Sequence, residues 1–176
     1  MWYHRKFKLR YDANVFNDII EYAKTAEWKQ GYDQNGLIWN IEELPLKPEQ
    51  FPILNELYEG LNAEFKRPSF FLSNVKPGGL VNHIDHNKWG NLGIPILGDF
   101  KNTPQYFYDQ FNHPVESFIN DSPVIFNTRM LHAVPRELDD TGPRWILMMD
   151  LFDWVDKLFA KVDNKTIWTD TKNFNA

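Results

Sequence analysis

The chain is 176 residues long, contains no cysteine, and sets 19 basic against 24 acidic residues for a net charge of −5. Disulfides, zinc–thiolate sites and thiol nucleophiles are thereby excluded, and the acidic balance offers no electrostatic footprint for nucleic acid. With 43% hydrophobic and 16% aromatic residues the composition is that of a globular protein, and the length suits one compact domain.

Residues 1–10 are basic but lack the apolar stretch of a secretory signal, and no segment approaches bilayer length. A soluble cytoplasmic protein with no membrane partner is therefore expected. After a short strand-like start, Asp12 is expected to cap a helix in which Val15, Phe16, Ile19, Ile20, Ala23 and Ala26 recur at helical spacing, ending before Gly31. A second helix is predicted over 49–65, where Phe51, Leu54, Leu57, Tyr58 and Leu61 form one apolar stripe between Pro48 and Pro68.

From Ser69 the texture changes to short aromatic and β-branched runs separated by Pro, Gly, Asn and Asp clusters, which predict turns between antiparallel strands. Eight strands are expected, near 69–75, 80–85, 91–98, 105–109, 115–119, 123–127, 130–135 and 144–151. The fold class that follows is mainly β (α+β): a double-stranded β-helix, or cupin-like jelly roll, buttressed by N-terminal helices. A single domain over 1–176 would comprise a helical part over 1–66, a β-helix core over 69–152 and a C-terminal extension over 153–176.

Within the predicted β-region lies His83-Ile84-Asp85. Side chains two apart in a strand share a face, so this segment presents an imidazole and a carboxylate together. His132, in the run Met130-Leu-His-Ala-Val-Pro135, can add a second imidazole from another strand. Two histidines and one carboxylate make a facial ligand set that leaves half an octahedron open, which suits non-haem iron(II). A lone His-x-Asp arises easily by chance; its conjunction with His132 and with Arg144 is what points to a site.

Arg144 follows the turn Asp139-Asp-Thr-Gly-Pro143 and opens the last strand, with Ile146 and Met148 on its face. An inward arginine in so apolar a row is costly unless an anion pairs with it. Arg129 and Arg136 are rivals for that role, Arg136 being expected at the mouth of a hairpin in a solvated position. His86 should point away from the ligand face and is kept as a residue behind the ligands or facing substrate. His4 and His113 are set aside.

In this order the residues resemble the iron(II)- and 2-oxoglutarate-dependent oxygenase superfamily over about 70–152. The segments Asn82-His-Ile-Asp85 and Pro123-Val-Ile-Phe-Asn-Thr-Arg-Met-Leu-His-Ala-Val-Pro135, ahead of Arg144, are similar to small phage, bacterial or marine members related to the prolyl and aspartyl/asparaginyl hydroxylases. The resemblance implies His83, Asp85 and His132 as iron ligands, Arg144 on the distal carboxylate of 2-oxoglutarate, and dioxygen as co-substrate. It further implies hydroxylation of a peptide side chain, amino acid or small metabolite, with release of succinate and carbon dioxide.

Several relatives place Ser or Thr two residues after that arginine, where this chain has Ile146. Tyr106 or Tyr108 is the expected substitute, and Asn91 is a further candidate for the co-substrate's other carboxylate. The alternative of a different class is a cupin-type metal-dependent binding module without oxygenase activity. His-x-Asp in place of His-x-His, and no glutamate between Asp85 and Tyr108, favour the oxygenase. A metal-free structural relative is the third possibility. Trp89, Lys88, Lys101 and Arg129 are expected near the rim of the site. The sequence leaves the substrate and the oligomeric state open.

Overall fold

The structure, a computed structural model, describes residues 3–6, 13–32, 35–60, 69–86, 88–101 and 103–152. Eleven strands and two α-helices follow in chain order among these residues: β1 (His4–Lys6), α1 (Asn17–Thr25), β2 (Lys29–Tyr32), β3 (Ile38–Leu46), α2 (Pro52–Gly60), β4 (Phe70–Val75), β5 (Leu80–His83), β6 (Gly90–Gly98), β7 (Pro104–Tyr108), β8 (Pro114–Ile119), β9 (Val124–Phe126), β10 (His132–Val134) and β11 (Arg144–Leu151). They form a seven-stranded sheet in the order β1-β9-β6-β11-β4-β3-β2 and a four-stranded sheet in the order β5-β10-β7-β8. Every pairing is antiparallel. This is the expected jelly roll, and none of the described helices is long and apolar enough to cross a membrane.

Period two in β11 shows how the layers are built. Leu147, Met149 and Leu151 join the cluster that α1 and α2 cover, together with Ile19 and Ala23 of α1 and Leu54 and Leu57 of α2. Ile146 and Met148 point the other way, into a second cluster with Phe107, Phe118 and Phe126 between the sheets. A strand buried on both faces therefore reads as a continuous apolar run, Trp-Ile-Leu-Met-Met. Leu72 sits fully buried in the first cluster, and truncating it to Ala would cost about 2–5 kcal/mol in lost burial and cavity formation.

The helices differ from expectation at their ends. A 3-10 turn over Ala13–Phe16 leads into α1, Phe16 supplies no side-chain cap, and the expected cap at Asp12 lies outside the described residues. Pro52 takes the first position of α2, where its missing N–H has no intrahelical partner to lose. The end of that prediction, 61–65, lies outside the described residues, as does 153–176.

The larger difference is the β2–β3 hairpin, which extends the seven-stranded sheet from between the two expected helices, where no strand is predicted. In β3 one face turns Trp39, Ile41 and Glu43 to the interior, while Leu44 and Leu46 pack under the helices. Apolar residues on both faces erase the alternation that marks a half-buried strand. Gly31, expected to follow a helix, lies inside β2, where an added Cβ would stand 2.4 Å from the Ile41 side chain.

Candidate metal centre

The site begins at a tight turn. Gly79, at φ 71°, lies between β4 and β5, and a Cβ there would stand 2.3 Å from the Val134 carbonyl oxygen. Only glycine lets the chain pass so close to β10 in this conformation. The four residues of β5 then pair with β10 so that His83 lies directly opposite His132, with an irregularity in register before Val134. Directly opposed residues hold their Cβ atoms about 5 Å apart on one face, and the two ring centroids are 4.2 Å apart.

Each imidazole is oriented by a main-chain carbonyl two residues earlier. His83 Nδ1 lies 2.8 Å from the Val81 oxygen, and His132 Nδ1 lies 2.8 Å from the Met130 oxygen. A carbonyl only accepts, so both Nδ1 atoms carry the proton and both Nε2 lone pairs are free to ligate. His132 is 3% exposed, with Phe107 and Phe126 against it. Burial, with His83 and Lys88 adding to it, pushes its pKa down to about 4 against the opposing effect of Asp85 and the Met130 carbonyl. It is neutral at physiological pH, so a metal need displace no proton there.

Asp85 reaches the cluster from beyond the end of β5, not from within the strand as its spacing suggests. Its N–H donates to the Thr128 carbonyl oxygen at 2.9 Å. Oδ1 lies 4.0 Å from His83 Nε2, and Oδ2 lies 3.3 Å from Lys88 Nζ. Lys88 is fixed in turn by Asp150 at 2.8 Å, and Ser69 Oγ donates to the other Asp150 oxygen at 2.7 Å. Burial alone would lower the Lys88 pKa, but Asp150 and Asp85 together hold it raised. Lys88 is a partly buried cation lining the cleft that holds one Asp85 oxygen, while the other lies toward His83. His83, Asp85 and His132 bring their ligand atoms within 4.8 Å of one another, the one such metal-competent group among the described residues.

The three line a cleft between the sheets. Arg144 stands at another part of it, 1% exposed, as its place in β11 predicts. Nη2 donates to the Thr103 carbonyl oxygen at 2.8 Å, the guanidinium lies 5.7 Å from the Phe100 ring centre, and Nε and Nη1 are buried without acceptors. Burial, with Arg136 adding to it and Asp140 opposing, lowers the Arg144 pKa to about 10. Gln105 Nε2 is a third buried donor without an acceptor, and Gln105 lines the same cleft. Unmatched donors facing a cavity fit the carboxylate of a small acid.

No family model matches the chain, and no curated protein matches it in sequence. Solved structures do match in shape. HygX from Streptomyces hygroscopicus, crystallised with nickel and 2-oxoglutarate bound, aligns at a TM-score of 0.57 and 9% identity, over 84% of this chain and 81% of HygX. A Pseudomonas putida prolyl-4-hydroxylase aligns at 0.57 and 12% identity, over 86% of this chain and 92% of that one. The chain has the fold of the iron(II)- and 2-oxoglutarate-dependent oxygenases. A Burkholderia pseudomallei oxidoreductase of that family aligns at 0.55 and 12% identity, over 84% and 83% of the two chains.

In this oxygenase fold the remaining sequence-predicted residues are placed as follows. Asn91, 4% exposed, lines the cleft with an unpaired Oδ1. Tyr106 does not line it: β7 turns Gln105 and Phe107 inward, leaving Tyr106 and Tyr108 on the other face. Arg136 is not solvated but 6% exposed. Its Nε and Nη2 grip Asp140 at 2.9 Å each, and it also donates to the Val75 and Gly142 carbonyls. It is absent from the cleft lining, and its donors are committed to Asp140, Gly142 and the end of β4. His86 and Lys101 are exposed, and Arg129 stacks over Trp89 at 4.6 Å. Sequence reasoning missed Gln105, which shares its face with the apolar Phe107, and Glu43, which lines the cleft beside Ile41.

Proposed function

We propose that this protein is an iron(II)- and 2-oxoglutarate-dependent dioxygenase that hydroxylates a peptide side chain, amino acid or small metabolite. One observation carries the reading: a two-histidine, one-aspartate cluster opens on one side into the same cleft as a buried arginine with two unmatched donors. In this reading His83, Asp85 and His132 hold the metal. Arg144, with Gln105 of the same cleft, takes the distal carboxylate of 2-oxoglutarate, and Asn91 is assigned to the carboxylate nearer the metal.

Iron(II), 2-oxoglutarate and dioxygen, when bound, supply the oxidation, with 2-oxoglutarate leaving as succinate and carbon dioxide and one oxygen atom entering a C–H bond of the substrate. The chain's own residues position and shield. The Val81 and Met130 carbonyls fix the ligating tautomers, and Lys88 keeps one Asp85 oxygen from turning away. Trp39, its ring centre 4.7 Å from that of His83, and Ile41 and Val75 give the cleft an apolar wall that limits water near the metal.

The test is conversion of 2-oxoglutarate to succinate without added substrate. We expect slow succinate formation that requires both iron(II) and dioxygen and is abolished in Asp85→Ala. Iron and 2-oxoglutarate binding without any succinate would instead favour a cupin-type binding module.

A further inference from the structure

Glu43 stands in the inward row of β3, two strands from β11 in the seven-stranded sheet, opposite Ser73, which is itself opposite Ile146. Strands lie about 4.8 Å apart, so the Glu43 backbone is roughly 10 Å from the row that bears Arg144. Its side chain lines the cleft with His83, Asp85 and Lys88. Among the described residues it forms no ion pair. Lys88 is committed to Asp85 and Asp150, and Lys29, opposite Glu43 on β2, is exposed and absent from the charges that act on Glu43.

Every other charge in the cleft has a counterpart. Lys88 answers Asp150. Under the proposed function, a divalent ion, Asp85, a co-substrate dianion and Arg144 together come to zero. One negative charge is left over, and it belongs to Glu43. Burial raises the Glu43 pKa, with Asp150 and Asp85 adding to the rise and Lys88 opposing it, as befits a half-buried carboxylate without a cation. Such a carboxylate is favourable in a cleft chiefly when a ligand supplies the missing charge.

We propose that Glu43 is a specificity-determining residue that pairs with a cationic nitrogen, an ammonium or guanidinium group, on the substrate of this site. The proposal rests on the oxygenase reading, because that reading defines which charges are already matched. The cation has two sources, a free small amine or the side chain of a peptide residue, and both present the same chemistry to Glu43.

The experiment uses protein loaded with zinc(II) and 2-oxoglutarate, which binds but does not turn over, and ligand-observed NMR titrations. The charged and neutral probes are n-butylammonium and n-butanol; acetyl-Gly-Lys-Gly-amide supplies the peptide source. We expect n-butylammonium or the peptide to bind at least about tenfold more tightly than n-butanol, as a charge-assisted contact allows. Whichever cation binds more tightly identifies the source. Glu43→Gln should remove the preference, and Glu43→Asp, which keeps the charge, should retain it in part. Equal binding of charged and neutral probes, or an unchanged preference in Glu43→Gln, overturns the proposal. Zinc and 2-oxoglutarate affinities on the same samples separate the failures: if they bind, only the Glu43 assignment falls, and if they do not, both readings fall.

Discussion

His83 and His132 are cross-strand partners, opposed on β5 and β10 with ring centroids 4.2 Å apart. That register decides whether a site exists, because a slip of one residue would turn one imidazole to the opposite face. Asp85 completes the group through Thr128, which holds its backbone just past the strand end.

Lys88 bridges Asp85 at 3.3 Å and Asp150 at 2.8 Å, and so restrains the carboxylate proposed to bind the metal. We expect Lys88→Met to weaken metal binding by about 10–100-fold, the usual effect of losing a group that orients a ligand. Isothermal titration with iron(II) or zinc(II) checks it, and unchanged affinity would mean that Asp85 needs no such support.

Arg144 is buried with two donors unmatched, so removing its charge should not harm the protein that lacks 2-oxoglutarate. We expect Arg144→Met to unfold at the same or a higher temperature than wild type in that state, since replacing a poorly compensated buried ion is often neutral or stabilising. Its 2-oxoglutarate affinity should fall about 10–100-fold, the worth of a charge-assisted hydrogen bond. Thermal unfolding with and without 2-oxoglutarate reads both effects. Equal stabilisation of variant and wild type by 2-oxoglutarate would place the anchor elsewhere.

Asp85 joins the cluster from just past the end of β5 and not by strand periodicity, whereas His83, His132 and Arg144 were legible in the sequence as strand residues between recognisable turns. The eight strands from Phe70 onward were legible for the same reason. The β2–β3 hairpin was not, since Ile41 and Leu44 serve opposite faces of β3 and leave no apolar–polar alternation to mark a strand. Choosing Tyr106 over Gln105 was an error of parity: Phe107 is fully buried, and its face carries Gln105. The Arg136 pairing with Asp140 across a loop, and Lys88 reaching Asp150 on a distant strand, are tertiary contacts that no local pattern announces.

His132 makes the metal-free protein sensitive to acid. Its folded pKa of about 4 lies below the ordinary 6.5, so between these values the unfolded chain takes up a proton that the folded protein refuses. Stability from this group is full above about pH 6.5 and is lost as pH falls toward 4, by about 1.4 kcal/mol per pH unit at most and about 3 kcal/mol in all. Urea unfolding of metal-free protein from pH 7 to pH 4.5 should show the loss, and His132→Phe should show a smaller slope. An identical slope in both would mean that other groups govern the acid response.

His83, Asp85 and His132 are expected to bind one iron(II) ion with an edge free for 2-oxoglutarate. Anaerobic addition of iron(II) and 2-oxoglutarate should produce the visible charge-transfer band of the chelated keto acid in wild type and none in His132→Ala. A saturated wild-type sample without that band, or a band of equal strength in His132→Ala, would contradict it.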